Sequence, residues 1–358
     1  MANIMKKTVI CGMQQVGIGV PNVYDAWRWY YDIFGFDVKI LDAEGVAERM
    51  LPYTGGKPQP RHAVLAYNLK GGGGLEIWEP KGRELNYLEN EARLGDYGIF
   101  SCKIKTADID TAFSFLKQNN VDCLCEPCMS PNNLKHFFIK DPLGNIFDIE
   151  EDNYIFINSA KPFGGTNGII LGVSDMDKSI DYYKSIVGFD KIVFDETGVF
   201  DDFKCLPNGA DKVRRVRLDR TQKMTGPLSE IMGTSYIELV QNMTSSCKKL
   251  YENRYWGDPG FIHVCFDIRN MATLEKEVAD YGYPFVCNSG ADFVMGDADG
   301  WFSYIEDPDG TLIEFVETRK VPVIKKLNIN LNLINKADDK PLSRLITKSL
   351  RFLKAKRP

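Results

Sequence analysis

Short alternating runs and longer helical stretches follow one another along this chain, and the same order returns four times. Val16, Ile18 and Val20 alternate with Gln15, Gly17 and Gly19, which predicts a strand with one apolar face and one small, polar face. Pro21-Asn22 ends that strand. Val23 to Phe34 then carries a helical pattern stopped by Gly35, a C-cap signal. The run Gln15 to Val20 with its trailing Ile33-Phe34-Gly35-Phe36-Asp37 recurs 153 residues later, as Gly168 to Val173 with Ile186-Val187-Gly188-Phe189-Asp190. In the later copy Ser174-Asp175 supplies a stronger N-cap.

A second pair of segments matches equally well. Ser101-Cys102-Lys103-Ile104 answers His263-Val264-Cys265-Phe266, and Asp141-Pro142-Leu143-Gly144 answers Asp307-Pro308-Asp309-Gly310, each turn feeding a last strand. Repeats of this kind fix the architecture before single elements do. Four units, near 8–80, 96–151, 164–242 and 258–318, each read as a strand, a helix and further strands, with polar linkers at 81–95 and 243–257. The expected fold class is α+β, with four βαβββ modules in two tandem domains, 8–151 and 164–318, and a basic C-terminal extension over 319–358. The run Gly71 to Gly74 precedes a strand, Leu75-Glu76-Ile77, with no helix N-terminus behind it, so it reads as a turn and not a phosphate cradle.

Composition changes this picture little. With 44% hydrophobic and 26% charged residues in 358, the chain can bury a full core. No apolar run reaches the ~20 residues of a membrane span, and residues 1–13 suggest no signal peptide. Nine cysteines, odd in number and irregular in spacing, read as reduced thiols of a cytoplasmic protein. Cys123, Cys125 and Cys128 form a tight group without a second Cys or His pair, so a structural zinc is the lesser reading.

Charge is distributed unevenly. Residues 320–358 hold eleven Lys/Arg against two Asp/Glu, so the tail carries +9 and the remainder −14. Leu342, Leu345, Ile346, Leu350 and Leu353 give it one apolar face at helical spacing, expected to dock on the acidic body of the chain. An acidic body argues against nucleic acid as a partner.

The chemistry lies in the strands. Each module closes on an acid between apolar neighbours: Glu76, Asp148, Glu238 and Glu314. One such acid would be an ordinary solvent-facing residue. Four at one place in four repeats point to a paired or cation-bound group. The opening strands hold Gln15, Ser101, Gly168 and His263 at equivalent positions. His62 and His136 have no counterparts in the other repeats and are taken as structural.

This combination of βαβββ repeats, Gly-Phe after the first helix, Asp-Pro-x-Gly before the last strand and a central acid resembles the vicinal oxygen chelate superfamily. That superfamily includes glyoxalase I, methylmalonyl-CoA epimerase, extradiol dioxygenases, and the fosfomycin and bleomycin resistance proteins. The resemblance covers about residues 8–318. It implies a metal in a cup made by two modules, held by the first-strand residue and the last-strand acid of each.

If the first module pairs with the fourth, the cup offers Gln15, Glu76, His263 and Glu314, similar to the ligand set of many glyoxalase I enzymes. The other cup, with Ser101, Asp148, Gly168 and Glu238, would then be degenerate. If consecutive modules pair, as in extradiol dioxygenases, Glu238 joins His263 and Glu314 as an alternative ligand, but Gly168 stands where a histidine is needed. The first arrangement is preferred because it also accounts for Gln15.

The resemblance implies one divalent ion (Ni, Co, Mn, Fe or Zn) and a small-molecule substrate, in a lyase or isomerase working through an enediolate. Glu314 is then the candidate base and Glu76 the opposing acid, while Trp78 and Tyr304 are candidate lining residues. An extradiol-type dioxygenase and a non-catalytic, resistance-type binding protein are the alternatives. Arg49 and Arg61 are weak candidates for an anion clamp. Either a monomer or a homodimer is compatible, since tandem duplication can supply the whole cup within one chain.

Overall fold

A computed structural model describes residues 6–291, 293–295, 298–324 and 329–358. The first module runs β1 (Val9–Gly19), α1 (Val23–Phe34), β2 (Val38–Ala47), β3 (Gln59–Tyr67) and β4 (Gly74–Pro80). The second is β5 (Gly98–Thr106), α2 (Ile109–Gln118), the short β6 (Asp122–Cys123) and β7 (Cys128–Met129), β8 (Lys135–Lys140) and β9 (Ile146–Glu151). The third comprises β10 (Phe163–Gly172), α3 (Met176–Tyr182), β11 (Lys191–Gly198), β12 (Val213–Asp219), α4 (Ser229–Met232) and β13 (Tyr236–Asn242). The fourth has β14 (Gly260–Arg269), α5 (Met271–Asp280), β15 (Cys287–Asn288), β16 (Phe293–Met295), β17 (Ala298–Glu306) and β18 (Leu312–Ile324).

The expected boundaries have local causes. Asn22 and Asp175 cap α1 and α3, accepting from the backbone N–H of Asp25 and Lys178 at 2.9 and 3.1 Å. Gly35 and Gly188 end the two helical stretches in the left-handed region, φ 78° and 75°, where a side chain would be strained. Gly71 to Gly74 form the turn into β4. Gly73 lies so close to β10 that a Cβ there would meet the Thr166 side chain at 2.5 Å.

Sheet order departs from chain order. One sheet runs β15-β17-β18-β14-β1-β4-β3-β2, joining the first module to the fourth; the other runs β11-β12-β13-β10-β5-β9-β8-β6, joining the third to the second. In each sheet the two modules meet through antiparallel first strands, β1 with β14 and β10 with β5. Consecutive modules touch differently. Tyr30 on α1 donates to Asp141 of the second module at 2.6 Å, and Tyr183, just beyond α3, donates to Asp307 of the fourth at 2.9 Å. These are the aspartates of the two Asp-Pro-x-Gly turns.

One core cluster takes Val16, Ile77, Val264 and Phe315 from the first sheet, Ile104, Phe147 and Leu171 from the second, and the inner faces of α1, α2, α3 and α5. Strict alternation then sends Gln15, Glu76, His263 and Glu314 to the opposite face.

The tail docks, though not as one helix. A strand β19 (Ile329–Asn332) extends the first sheet, and a short α6 (Arg344–Thr347) leads into a 3-10 turn over Lys348–Leu353. Leu342, Leu350 and Leu353 are buried against Val38, Tyr67 and Ile231, while Leu345 and Ile346 stay exposed. Arg344, Lys354 and Arg357 pair with Glu230, Asp37 and Asp32 of the body at 2.9, 2.7 and 2.6 Å. No helix among the described residues is long and apolar enough to cross a membrane.

Candidate functional site

The centre of the first sheet is where β4, β1, β14 and β18 lie side by side. Gly17 is the register partner of both Glu76 and His263, and Glu314 is the partner of Cys265. The imidazole lies directly over Gly17, where an added Cβ would meet ring atoms at 2.3 Å. The small residue that looked like simple alternation is therefore the seat of the histidine.

His263 Nε2 lies 3.2 Å from a carboxylate oxygen of Glu76 and 3.2 Å from one of Glu314. Gln15 Nε2 donates to the same Glu314 oxygen at 3.3 Å. Ligand atoms of Glu76, His263 and Glu314 all lie within 4.8 Å of one another, the one such group of three His, Cys, Asp or Glu among the described residues. All four side chains are buried, His263 completely and the others at 4–6% exposure. Yet Gln15 Oε1 and both ring nitrogens of His263 lack a properly directed hydrogen bond. Buried polar atoms normally find a partner, so this convergence fits a cation at the centre. Burial disfavours the imidazolium, but Glu314 and Glu76 outweigh it and raise His263 to about 9.

An aromatic wall surrounds the group. Trp256 stacks over His263 at 6.3 Å between centroids, Tyr304 meets it edge-on at 5.5 Å, and Trp78 packs on Trp256 at 4.2 Å. Trp78 and Tyr304 thus line the site's surroundings, together with Arg49 and Arg61 on one side. Trp256 belongs to the linker 243–257, and sequence reading missed it. A lone tryptophan in a polar stretch was the available signal.

The second cup is filled from within. Lys103 Nζ sits among Asp148, Glu150 and Glu238 at 2.5, 3.1 and 2.9 Å. Arg215 bonds Glu238 and reaches Asp202 at 2.6 Å, and Arg217 reaches Glu150 at 3.0 Å. His136 bridges Asp148 and Asp202 at 2.9 and 3.1 Å. Burial opposes its charge, but those two aspartates prevail and raise it to about 10. Four acids then face four cations in a sealed site. Glu238 is committed here, in the other sheet from His263, and Ser101 and Gly168 contribute no ligand to either cup.

Residues 12–149, the first two modules, match the family described as the glyoxalase/bleomycin resistance protein/dioxygenase superfamily. The match covers these two modules and less than half of the chain. Solved structures extend the likeness in fold to most of the chain. Glyoxalase I from Zea mays superposes with a TM-score of 0.52 at 14% identity, covering 87% of this chain and 92% of its own. A candidate dioxygenase from Bacillus subtilis superposes at 0.55 with 13% identity, covering 86% of both. No curated protein matches the sequence. At such identities the fold alone is shared with these structures; the reaction has to be argued from the site.

Proposed function

We propose that this protein is a metal-dependent lyase or isomerase of the glyoxalase kind, moving a proton beside a carbonyl of a small substrate through an enediolate. The observation that carries the proposal is the buried convergence of Glu76, His263 and Glu314 on one point. The second cup sharpens it, because there a Lys103 ammonium occupies the space between the acids. Gln15, Glu76, His263 and Glu314 would hold a divalent ion, and three oxygens with one imidazole suit manganese, cobalt, nickel, iron or zinc. Such an ion, when bound, polarises a carbonyl and stabilises the enediolate.

The chain's own residues do the remainder. Glu314 is the candidate base, its carboxylate oriented by Gln15 Nε2 and the imidazole, and Glu76 faces it as the opposing acid. Trp78, Trp256 and Tyr304 exclude water and so strengthen each charge interaction inside. A single histidine departs from the two-histidine, one-carboxylate set of oxygen-activating iron. Proton transfer is therefore favoured over ring cleavage.

Titration of metal-stripped protein with Mn(II), followed by the resonance of the free ion, is expected to show one site per chain. His263→Ala and Glu314→Gln should lose it and Ser101→Ala should keep it. Hemithioacetals of 2-oxoaldehydes and epimerisable 2-substituted acids should then exchange their substrate proton in D2O. Failure to bind manganese, cobalt, nickel or zinc would overturn the proposal in favour of a binding protein, and oxygen uptake with catechols would do so in favour of an oxygenase.

A further inference from the structure

A chamber that Arg49 and Arg61 do not line opens from the donor group. It holds about 1000 Å³ of unfilled space, part of it open to solvent, and Gln15, Glu76 and Glu314 lie at its inner end. Leu65 and Tyr67 of β3 and Trp301 of β17 form its near walls. The far wall comes from elsewhere in the chain: Ile231 and Met232 of α4, in the third module, and Leu350 of the tail.

This far wall is fastened in place. The Gly72 N–H donates to the Ile231 carbonyl at 2.8 Å, the Leu342 N–H donates to the Pro227 carbonyl at 3.0 Å, and Arg344 pairs with Glu230 at 2.9 Å. Outside the donor group, the uncharged polar side chains of the lining are bonded within the protein. Tyr67 gives its hydroxyl to the Gln14 carbonyl at 2.6 Å, and Trp301 gives its N–H to Asn288 at 2.7 Å. Gln14 and Thr318 both donate to Asp267, at 3.2 and 2.6 Å. Apart from the donor acids, the charged lining residues are Asp299 and Lys320, cross-strand neighbours of opposite sign. Beyond the donor group and this one pair, a ligand in the chamber meets carbon.

From this we infer that the substrate carries an uncharged hydrophobic substituent, an aryl or branched alkyl group, which this chamber receives while the adjoining oxygens face Gln15, Glu76, His263 and Glu314. The inference rests on the metal-dependent reading for its oxygens and on the chamber alone for its substituent. An ionic substituent would surrender its hydration for walls that are carbon except at Asp299 and Lys320. An apolar one is drawn in by the area it buries.

The test uses the full chain and three probes. N-phenyl-1-naphthylamine, an uncharged fluorophore, should bind the metal-free protein and brighten, and Ile231→Glu should weaken that binding at least tenfold. Leu350→Glu provides the same reading from the tail, independent of how the first variant folds. On manganese-loaded protein, benzohydroxamate should displace the fluorophore at least tenfold more tightly than acetohydroxamate, a difference of about 1.4 kcal/mol. The two probes share a chelating end and differ in the ring. Equal competition by the two, or absence of fluorophore binding, overturns the inference. Fluorophore binding that both glutamate variants weaken, without any manganese-dependent displacement, upholds the apolar chamber and removes the metal reading.

Discussion

Gly17 and Lys103 decide what the two cups contain. An alanine at 17 would drive its Cβ into the His263 ring. Gly17→Ala is expected to lower manganese affinity at least tenfold, readable in the same free-ion titration. Lys103 stands where Cys265 stands in the other sheet. Lys103→Met removes the cation that three buried acids share, and breaking such a cluster on one side costs about 3–5 kcal/mol. Urea unfolding should show that loss while manganese binding persists. His136 makes the same network sensitive to pH. Its folded pKa is raised to about 10 from an ordinary 6.5, so its stabilisation is complete below pH 6.5 and is lost as pH rises through about 10. Glu238 works in the opposite sense. Against the cost of burial, Arg215 and Lys103 lower it to about 2, so its contribution is present above pH 4.5 and is lost as pH falls through about 2. Thermal unfolding of the wild type and His136→Gln should differ most near pH 6, and the gap should narrow toward pH 10.5.

At the scale of elements, pairs related by the repeat should behave alike. Tyr30→Phe and Tyr183→Phe each remove a buried hydroxyl donated to a carboxylate. Each should cost about 1.5–3 kcal/mol in denaturant unfolding, since bonds to charged groups fall in that range. Much of this architecture was legible beforehand. Asn22, Asp175, Gly35 and Gly188 marked real helix ends, and the four acids marked the faces of four closing strands. The first-with-fourth arrangement was legible only as a preference, because strand patterns fix which face is buried and leave the neighbouring strand open. The content of the second cup was hidden for a related reason. Arg217 lies across from Glu238 as Leu65 lies across from Glu76, and only this cross-strand register shows one as the other's counterpart. Trp256 could not be placed by any periodicity, since it reaches His263 from a linker. The tail's apolar face was read as one helix, but Leu345 and Ile346 point outward because the helix stops after one turn.

The whole molecule is tied together by its ends. Leu342, Leu350 and Leu353 close the cluster around Tyr67 and Ile231, and each fully buried leucine contributes about 1.5–3 kcal/mol. Truncation after residue 335 should therefore lower unfolding stability by about 5 kcal/mol. The nesting of the sheets also imposes an order of assembly. Thr166 finds its partner Ile104 only 62 residues back, whereas Cys265 must find Gln15 across 250. During synthesis at ~5–20 residues per second, the β1 edge is exposed for roughly 12–50 s before β14 exists to cover it. A chain that has emerged from the ribosome as far as residue 250 can already hold the inner sheet, with its salt-bridged cup complete. It cannot hold the outer one, and the cell has to shelter an open strand edge for that interval.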